Sequence, residues 1–241
     1  MPEPPHRGVE YGARRRDEFD SQSGGDDPYE FASVSLLLSH ATLFSLTYWG
    51  HSFLNNDGKS YAFDSRGDGY GRGEGVGMVV LKRLDDALAA GDPIRAIIRN
   101  TGVAQDGKTA GITLPNGLAQ ETLIHSVYDA VGLDPRQTTY VEAHGTGTIA
   151  GDNTEVSAIA HAFSASGRDQ PLFVGSIKAN VGHLESSSGI AGVIKAVIAL
   201  EKGFIPPQPD FRELKEGMIA EEWNIQVSSL AVILLVHLDV C

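Results

Sequence analysis

From Gly117 to Pro207 the chain alternates runs with helical apolar spacing and short runs rich in β-branched residues, and this alternation restricts the fold to a layered α/β architecture. Ile124, Val127, Tyr128 and Val131 mark one helix face, and Gly132 and Pro135 end it. TTYVEAHG (138–145) reads as a strand running into a glycine-rich turn. Asp152 is placed to cap the next helix, with Glu155 three residues on as in a capping box; Val156, Ile159, Ala160 and Phe163 form its apolar stripe. PLFVGSIK (171–178) is a further strand. The strongest helix signal follows. Ser186, Ser187 and Ser188 offer cap oxygens, Ile190, Val193, Ile194, Val197 and Ile198 share a face, and Gly203 with Pro206 and Pro207 closes the element. Gly189 and Gly192 leave room near its start for another backbone. No internal repeat is found.

The segments around this core differ in character. Residues 1–30 are rich in Pro, Gly, Asp, Arg and Ser and are expected to be a disordered leader, with order starting near Phe31. In 31–116, GVGMVVLKRL (75–84) suggests a buried strand, Asp85–Ala90 a short helix closed by Gly91, and IRAIIRNTGV (94–103) a second strand. Residues 117–227 hold the alternating unit, and 228–241 form an apolar tail. The run LAVILLVHL (230–238) is shorter than the roughly 20 residues that span a bilayer, and reads either as a loose apolar tail or as a buried strand.

Charge and cysteine use exclude several functions. A net charge of -12 opposes nucleic-acid binding and gives no attraction to an anionic membrane surface. Arg14, Arg15 and Arg16 precede no apolar run, so no secretory signal is expected. The single cysteine, Cys241, rules out a disulfide within the chain and fits a reducing, cytoplasmic setting.

Two histidines stand in loops just past strand ends, where chemistry concentrates. His144 lies in EAHGTGT, and His183 in SIKANVGH, five residues after Lys178. Gly145, Gly147 and Gly182 flank them and leave them reachable by a ligand. A lone histidine is ordinarily a packing residue; two in matching contexts point to a site. No metal site is expected, because HExxH is absent and His161 and Glu155 do not share a helix face. Gly102–Thr109 (GVAQDGKT) fits the P-loop pattern GxxxxGK[ST], but the continuation AGITLP (110–115) is a poor helix start, so an irregular loop is expected. The glycine series RGDGYGRGEGVG (66–77) satisfies no GxGxxG register, and its Arg-Gly-Asp is an incidental turn.

Taken together, YAFDSRGDGYGRGEGVGMVVLK (61–82), AIIRNTGVAQDGKTAGITLPN (96–116), TTYVEAHGTGTIAGDNTE (138–155) and FVGSIKANVGHLESSSGIAGVIKAVIAL (173–200) resemble the β-ketoacyl synthase (ketosynthase) domain of polyketide synthases, fungal iterative type. The resemblance covers roughly residues 52–227. It implies an acyltransferase with a thiolase-like layered αβαβα fold, here the end of the N-terminal half (31–116) and most of the C-terminal half (117–227). It also implies decarboxylative Claisen condensation of malonyl-carrier protein with an acyl thioester. His144 and His183 would direct N–H groups at the malonyl thioester oxygen, Lys178 would set the electrostatics of the second loop, and Thr146 and Thr148 would touch the pantetheine arm. Glu185 is taken as the acidic partner of Lys178. The chain binds no cofactor directly; phosphopantetheine arrives on an acyl carrier protein. A homodimer or a larger synthase is implied.

The departures bear on activity. No TACSSSL-like cysteine segment and no GFGGTNAH-like stretch occur, so the sequence offers no nucleophile in a family position, and Cys241 ends an unrelated tail. The expectation is a ketosynthase fragment that is inactive alone. A non-catalytic partner of an intact synthase and a P-loop-like nucleotide-binding module are the alternatives.

Overall fold

The computed structural model describes residues 53–109, 111, 114–163, 168–218 and 222–233, together with the backbone of 30–31. The expected leader apart from Glu30, the tail beyond 233 and Cys241 lie outside the described residues.

The strand β1 (Glu30–Phe31) pairs antiparallel with β2 (Val80–Leu81). Helix α1 (Leu84–Ala90) ends as expected at Gly91, whose left-handed backbone returns its N–H to the helix carbonyls. Helix α2 (Gly117–Asp129) starts at Asn116, whose side chain accepts the N–H of Ala119. Then follow β3 (Tyr140–Glu142), α3 (Ile149–Phe163), β4 (Leu172–Gly175), the single turn α4 (Lys178–Val181) and α5 (Ser188–Lys202). Three short strands complete the order: β5 (Phe204–Ile205), β6 (Ile225–Val227) and β7 (Val232–Ile233).

The alternation expected from sequence becomes a parallel sheet in the order β3-β4-β6, with α3 as the crossover between its first two strands. In register, Glu142 stands beside Gly175, and Leu172 beside Ile225. The stripe Val156, Ile159, Ala160 and Phe163 packs with Leu172, Val174 and Ile225 as the core, and α2 adds Tyr128, edge-on to Phe163. Leu172 is fully buried, and burying such a side chain contributes about 1.5–3 kcal/mol.

Four local expectations are corrected. In 75–84 only Val80 and Leu81 form a strand, and Val76 (72%) and Met78 (80%) are exposed. In 94–103 only an isolated bridge at Ile97 forms, and Ile94 and Ile98 are exposed. Among the described residues these β-branched runs find no sheet to complete, which propensity alone cannot supply. Helix α3 begins three residues before Asp152, so Asp152 is not its cap; Asp152 and Glu155 serve other backbone groups, described below. In α5 the small residues Ser188, Gly192, Ala196 and Ala199 are buried, while of the expected face Ile190, Val193 and Val197 are half-buried and Ile194 and Ile198 exposed; no serine oxygen caps it, and a Cβ at Gly189 would meet nothing within 4 Å. The run after Leu230 does form a strand edge, with Val232 and Ile233 pairing Ile205 and Phe204.

Candidate functional site

The loop after β3 is held from beneath by two carboxylates of α3. Glu155 accepts the backbone N–H of His144 (2.6 Å) and of Gly145 (2.8 Å). Asp152 accepts Gly147 N–H (3.0 Å) and, from a distant segment, Phe63 N–H (2.8 Å). Ser176 Oγ donates to the His144 carbonyl at 3.1 Å and ties this loop to the end of β4. Lys215, 6% exposed, lies 3.6 Å from Asp152 and donates to the carbonyls of Gly147 and Thr148. A lysine and an aspartate buried together are stable only with such further hydrogen bonds.

The loop after β4 carries Lys178 at the start of α4 and His183 just beyond Gly182. His183 extends alongside the glycine series: its N–H donates to Gly71 O (2.7 Å), and Gly73 N–H donates to its carbonyl (3.1 Å). His183 Nδ1 receives the backbone N–H of Glu185 (3.0 Å) and lies 2.8 Å from Ser188 Oγ. A backbone N–H can only donate, so Nδ1 is the acceptor and the neutral ring carries its proton on Nε2.

The two loops converge. The His144 and His183 rings stand edge to face, with centroids 5.4 Å apart and planes at 86°. Both rings are held below the usual histidine range, chiefly by burial and by the Lys178 cation, His144 to about 4. His144 keeps an exposed edge, so its lowered pKa reflects the protein mass behind the ring and the neighbouring cation. Burial also lowers the pKa of Lys178, opposed by Glu155, Glu142 and Asp152. Glu155 is pushed up to about 7, mainly by burial. At neutral pH the pair therefore presents uncharged imidazoles beside a lysine.

Of the residues singled out from sequence, His144, His183 and Lys178 come together. Thr146 and Thr148 stand beside them, with hydroxyls 3.1 Å apart and Thr146 buried. Glu185 is corrected: it forms an ion pair with Arg72, and the carboxylates acting on Lys178 are Glu155, Glu142 and Asp152. The flanking glycines do more than open space. A Cβ on Gly145 would stand 2.6 Å from Ser176 Cβ, and one on Gly182 would stand 2.9 Å from the Arg72 backbone.

Sequence reasoning assigned no role to the glycine series, and the structure supplies one. Gly67 lies against the Gly147 carbonyl, where a Cβ would come within 2.6 Å, and Gly73 against the Val181 carbonyl, within 2.1 Å. The segment is a spacer between the two histidine loops, and alternate glycines let three backbones meet. Phe63, Lys215, Glu142 and Lys195 were also missed. The positive φ of Phe63 (65°) and the long-range pairings of the others leave no mark in local sequence.

Among the described residues no group of three His, Cys, Asp or Glu could hold a metal, and no helix is long and apolar enough to cross a membrane. Among the described residues Lys108, Thr109, Gly111 and Leu114 are not helical and the next helix opens at Gly117, so these residues do not form the strand, loop and immediate helix of a P-loop.

This layered α/β unit with paired histidine loops has clear relatives. Residues 32–87 match the family model of the β-ketoacyl synthase N-terminal domain, and residues 95–212 that of the β-ketoacyl synthase C-terminal domain. The chain belongs to the β-ketoacyl synthase family, and its curated relatives are fungal polyketide synthases. It is 53% identical over 81% of its length to reducing polyketide synthase PKS1 of Cochliobolus heterostrophus, and 56% identical over 73% to highly reducing polyketide synthase sorA of Penicillium rubens. It spans 8% and 7% of those proteins. Among solved structures it is similar to the ketosynthase from module 6 of the bacillaene synthase of Bacillus subtilis 168, with a TM-score of 0.78 and 35% identity over 83% of this chain and 36% of that one. The oxazolomycin ketosynthase domain OzmH KS7 of Streptomyces albus JA3453 gives 0.76 and 32% over 79% of this chain and 33% of that one. The fold is thus thiolase-like, as the sequence resemblance implied.

Proposed function

We propose that this chain carries the decarboxylating side of a ketosynthase site in a reducing polyketide synthase. In that reaction malonyl on an acyl carrier protein loses carbon dioxide, and the electron pair left behind forms an enolate. Its carbon attacks an acyl thioester on a cysteine, and the cysteine thiolate leaves. The observation that carries this reading is the 5.4 Å approach of two imidazoles held neutral beside Lys178. Fixed neutral donors stabilise the developing enolate oxygen and need no reorganisation when the charge appears. His183 is suited to the task because its Nδ1 is engaged by Glu185 N–H, which leaves Nε2–H to donate.

Thr146 and Thr148 belong to the same reading, as contacts for the pantetheine arm. The partners are then an acyl carrier protein bearing phosphopantetheine and its malonyl and acyl thioesters, in a cytoplasmic dimeric or larger synthase. The stretches matched by the two family models, 32–87 and 95–212, act as the contributions of the N-terminal and C-terminal halves of the domain, a division upstream of the one expected at 116/117. The thiol comes from sequence outside this chain, since Cys241 lies in no ketosynthase motif.

A chimera tests the proposal. Residues 53–227 replace the matching stretch of the PKS1 relative, and product is measured. The expected result is polyketide formation that falls about 100-fold or more with His144→Ala or His183→Ala. A folded chimera whose output is indifferent to both substitutions would overturn it.

A further inference from the structure

Glu142, the last residue of β3, reaches the Lys178 turn through its carboxylate. It stands two residues before His144, at the point where the strand gives way to the first histidine loop. Its side chain is 2% exposed. Oε1 accepts the backbone N–H of Ile177, the residue that opens α4, at 2.5 Å. Oε2 lies 2.8 Å from Lys195 Nζ of α5, itself 10% exposed, and accepts the Tyr140 hydroxyl. Three elements are therefore joined through one buried group, and none of these bonds reaches the ligand side of the site. A buried ion pair of this kind contributes little net stability, and its retention is better explained by the geometry that it specifies.

We propose that Glu142 is a positioning residue: through Ile177 N–H it sets the turn that presents Lys178 to His144 and His183, and Lys195 serves to orient the Glu142 carboxylate. The inference rests on the histidine-pair reading for its catalytic meaning but makes a structural claim that can fail separately. The charged groups acting on the two rings are Lys178, Glu185 and Arg72, and Glu155 bonds the backbone N–H of His144. Of these the Lys178 cation depresses both histidines, so the histidines report where Lys178 stands.

Two double variants of the full 241-residue chain isolate the effect. Glu142→Gln with Lys195→Met and Glu142→Ala with Lys195→Met both remove the ion pair without leaving a buried unpaired charge. They differ only in whether an oxygen remains for Ile177 N–H. Histidine side-chain NMR titration is the readout. The Gln variant is expected to keep the His144 and His183 pKa values of the parent, and the Ala variant to raise both by about half a unit or more as Lys178 drifts. Removing Glu142 and Lys195 together deletes two opposite charges 2.8 Å apart, so the direct change of field at the rings nearly cancels and is the same in both variants; a difference between the variants therefore reports placement. Identical titration in the two variants overturns the proposal. Should the Ala variant not fold, amide exchange of Ile177 in the Gln variant decides. Retained protection with unmoved histidines supports the role, and lost protection with unmoved histidines overturns it. If the titrations behave as expected while the chimera ignores His144 and His183, the functional reading fails and the positioning role stands.

Discussion

Asp152 on α3 accepts the backbone N–H of Phe63 at 2.8 Å, across 89 residues of sequence. Phe63 is fully buried and holds a positive φ that a bulky residue adopts only when its surroundings impose it. Phe63 Cζ in turn lies where a Cβ on Gly145 would come within 2.9 Å. The first histidine loop is thus supported by a chain of contacts from Asp152 through Phe63 to the residue next to His144.

The first prediction concerns that support. Asp152→Ala leaves Lys215 buried without its carboxylate and two N–H groups without an acceptor. The expected loss of stability in urea denaturation is about 3–5 kcal/mol. Asp152→Asn with Lys215→Met removes both charges but keeps an acceptor oxygen for only one of the two N–H groups, so it should recover part of that loss. Equal stability of the single and double variants would show that the Asp152–Lys215 pair does not behave as a coupled buried unit.

Two glycine substitutions separate tolerance from necessity. A Cβ at Gly189, in the first turn of α5, meets nothing within 4 Å, so Gly189→Ala should stabilise the chain by about 0.5–1 kcal/mol. A Cβ at Gly73 would stand 2.1 Å from the Val181 carbonyl, so Gly73→Ala must push the glycine segment off the His183 loop. It should cost about 1–3 kcal/mol and broaden the His183 NMR signals while sparing those of His125, on the far helix α2. Thermal melts of both variants check the signs.

How much of this was legible in sequence follows the range of the interaction. Helices α2, α3 and α5 announced themselves because helical spacing is local, and Gly91 and Gly203 ended their helices as expected, whereas the caps expected at Asp152 and at the serines did not form. His144 and His183 were found because each sits in a short glycine-rich loop after a strand, and Lys178, which opens the turn α4, through the family resemblance. Glu185 was mispaired because proximity in sequence was taken for proximity in space, whereas Arg72, which pairs with it, arrives from the glycine spacer. Asp152 and Glu155 fit a capping box by spacing, yet their carboxylates serve Phe63, His144, Gly145 and Gly147, three of them in the preceding loop and one far upstream. The apolar face of α5 was only partly placed, because its fully buried positions are the small residues Ser188, Gly192, Ala196 and Ala199, while Ile190, Val193 and Val197 are half-buried beside them.

The next prediction is a pH dependence with two opposed parts. Glu155 titrates near 7 in the fold and near 4.5 when unfolded, so between these values the native state holds the extra proton and stability falls as pH rises. His144 has a folded pKa near 4 against 6.5, so the unfolded state holds the extra proton in that window and stability rises with pH. Glu155→Gln removes the first part. Relative to the parent, the variant should gain about 1–3 kcal/mol on going from pH 4.5 to pH 7.5, measured by urea denaturation at both values. A constant difference across that range would mean that Glu155 titrates normally.

The last prediction concerns the thiol. Condensation needs an acyl-enzyme, because covalent catalysis divides the reaction into two accessible steps. A nucleophilic cysteine also needs a setting that favours its thiolate, such as a helix N-terminus or a neighbouring cation. Cys241 follows the apolar run 230–238, which offers neither a lysine nor an arginine. Incubating the 241-residue chain with an acyl thioester and malonyl-carrier protein should therefore give no acyl adduct on Cys241 and no β-ketoacyl product by mass spectrometry. Any slow loss of carbon dioxide from malonyl-carrier protein should depend on His144 and His183 and be the same in Cys241→Ser, since the enolate is stabilised by the imidazoles and not by the thiol. Acyl transfer from Cys241 to malonyl-carrier protein that disappears in His144→Ala would show instead that this chain closes a complete site on its own terminal cysteine.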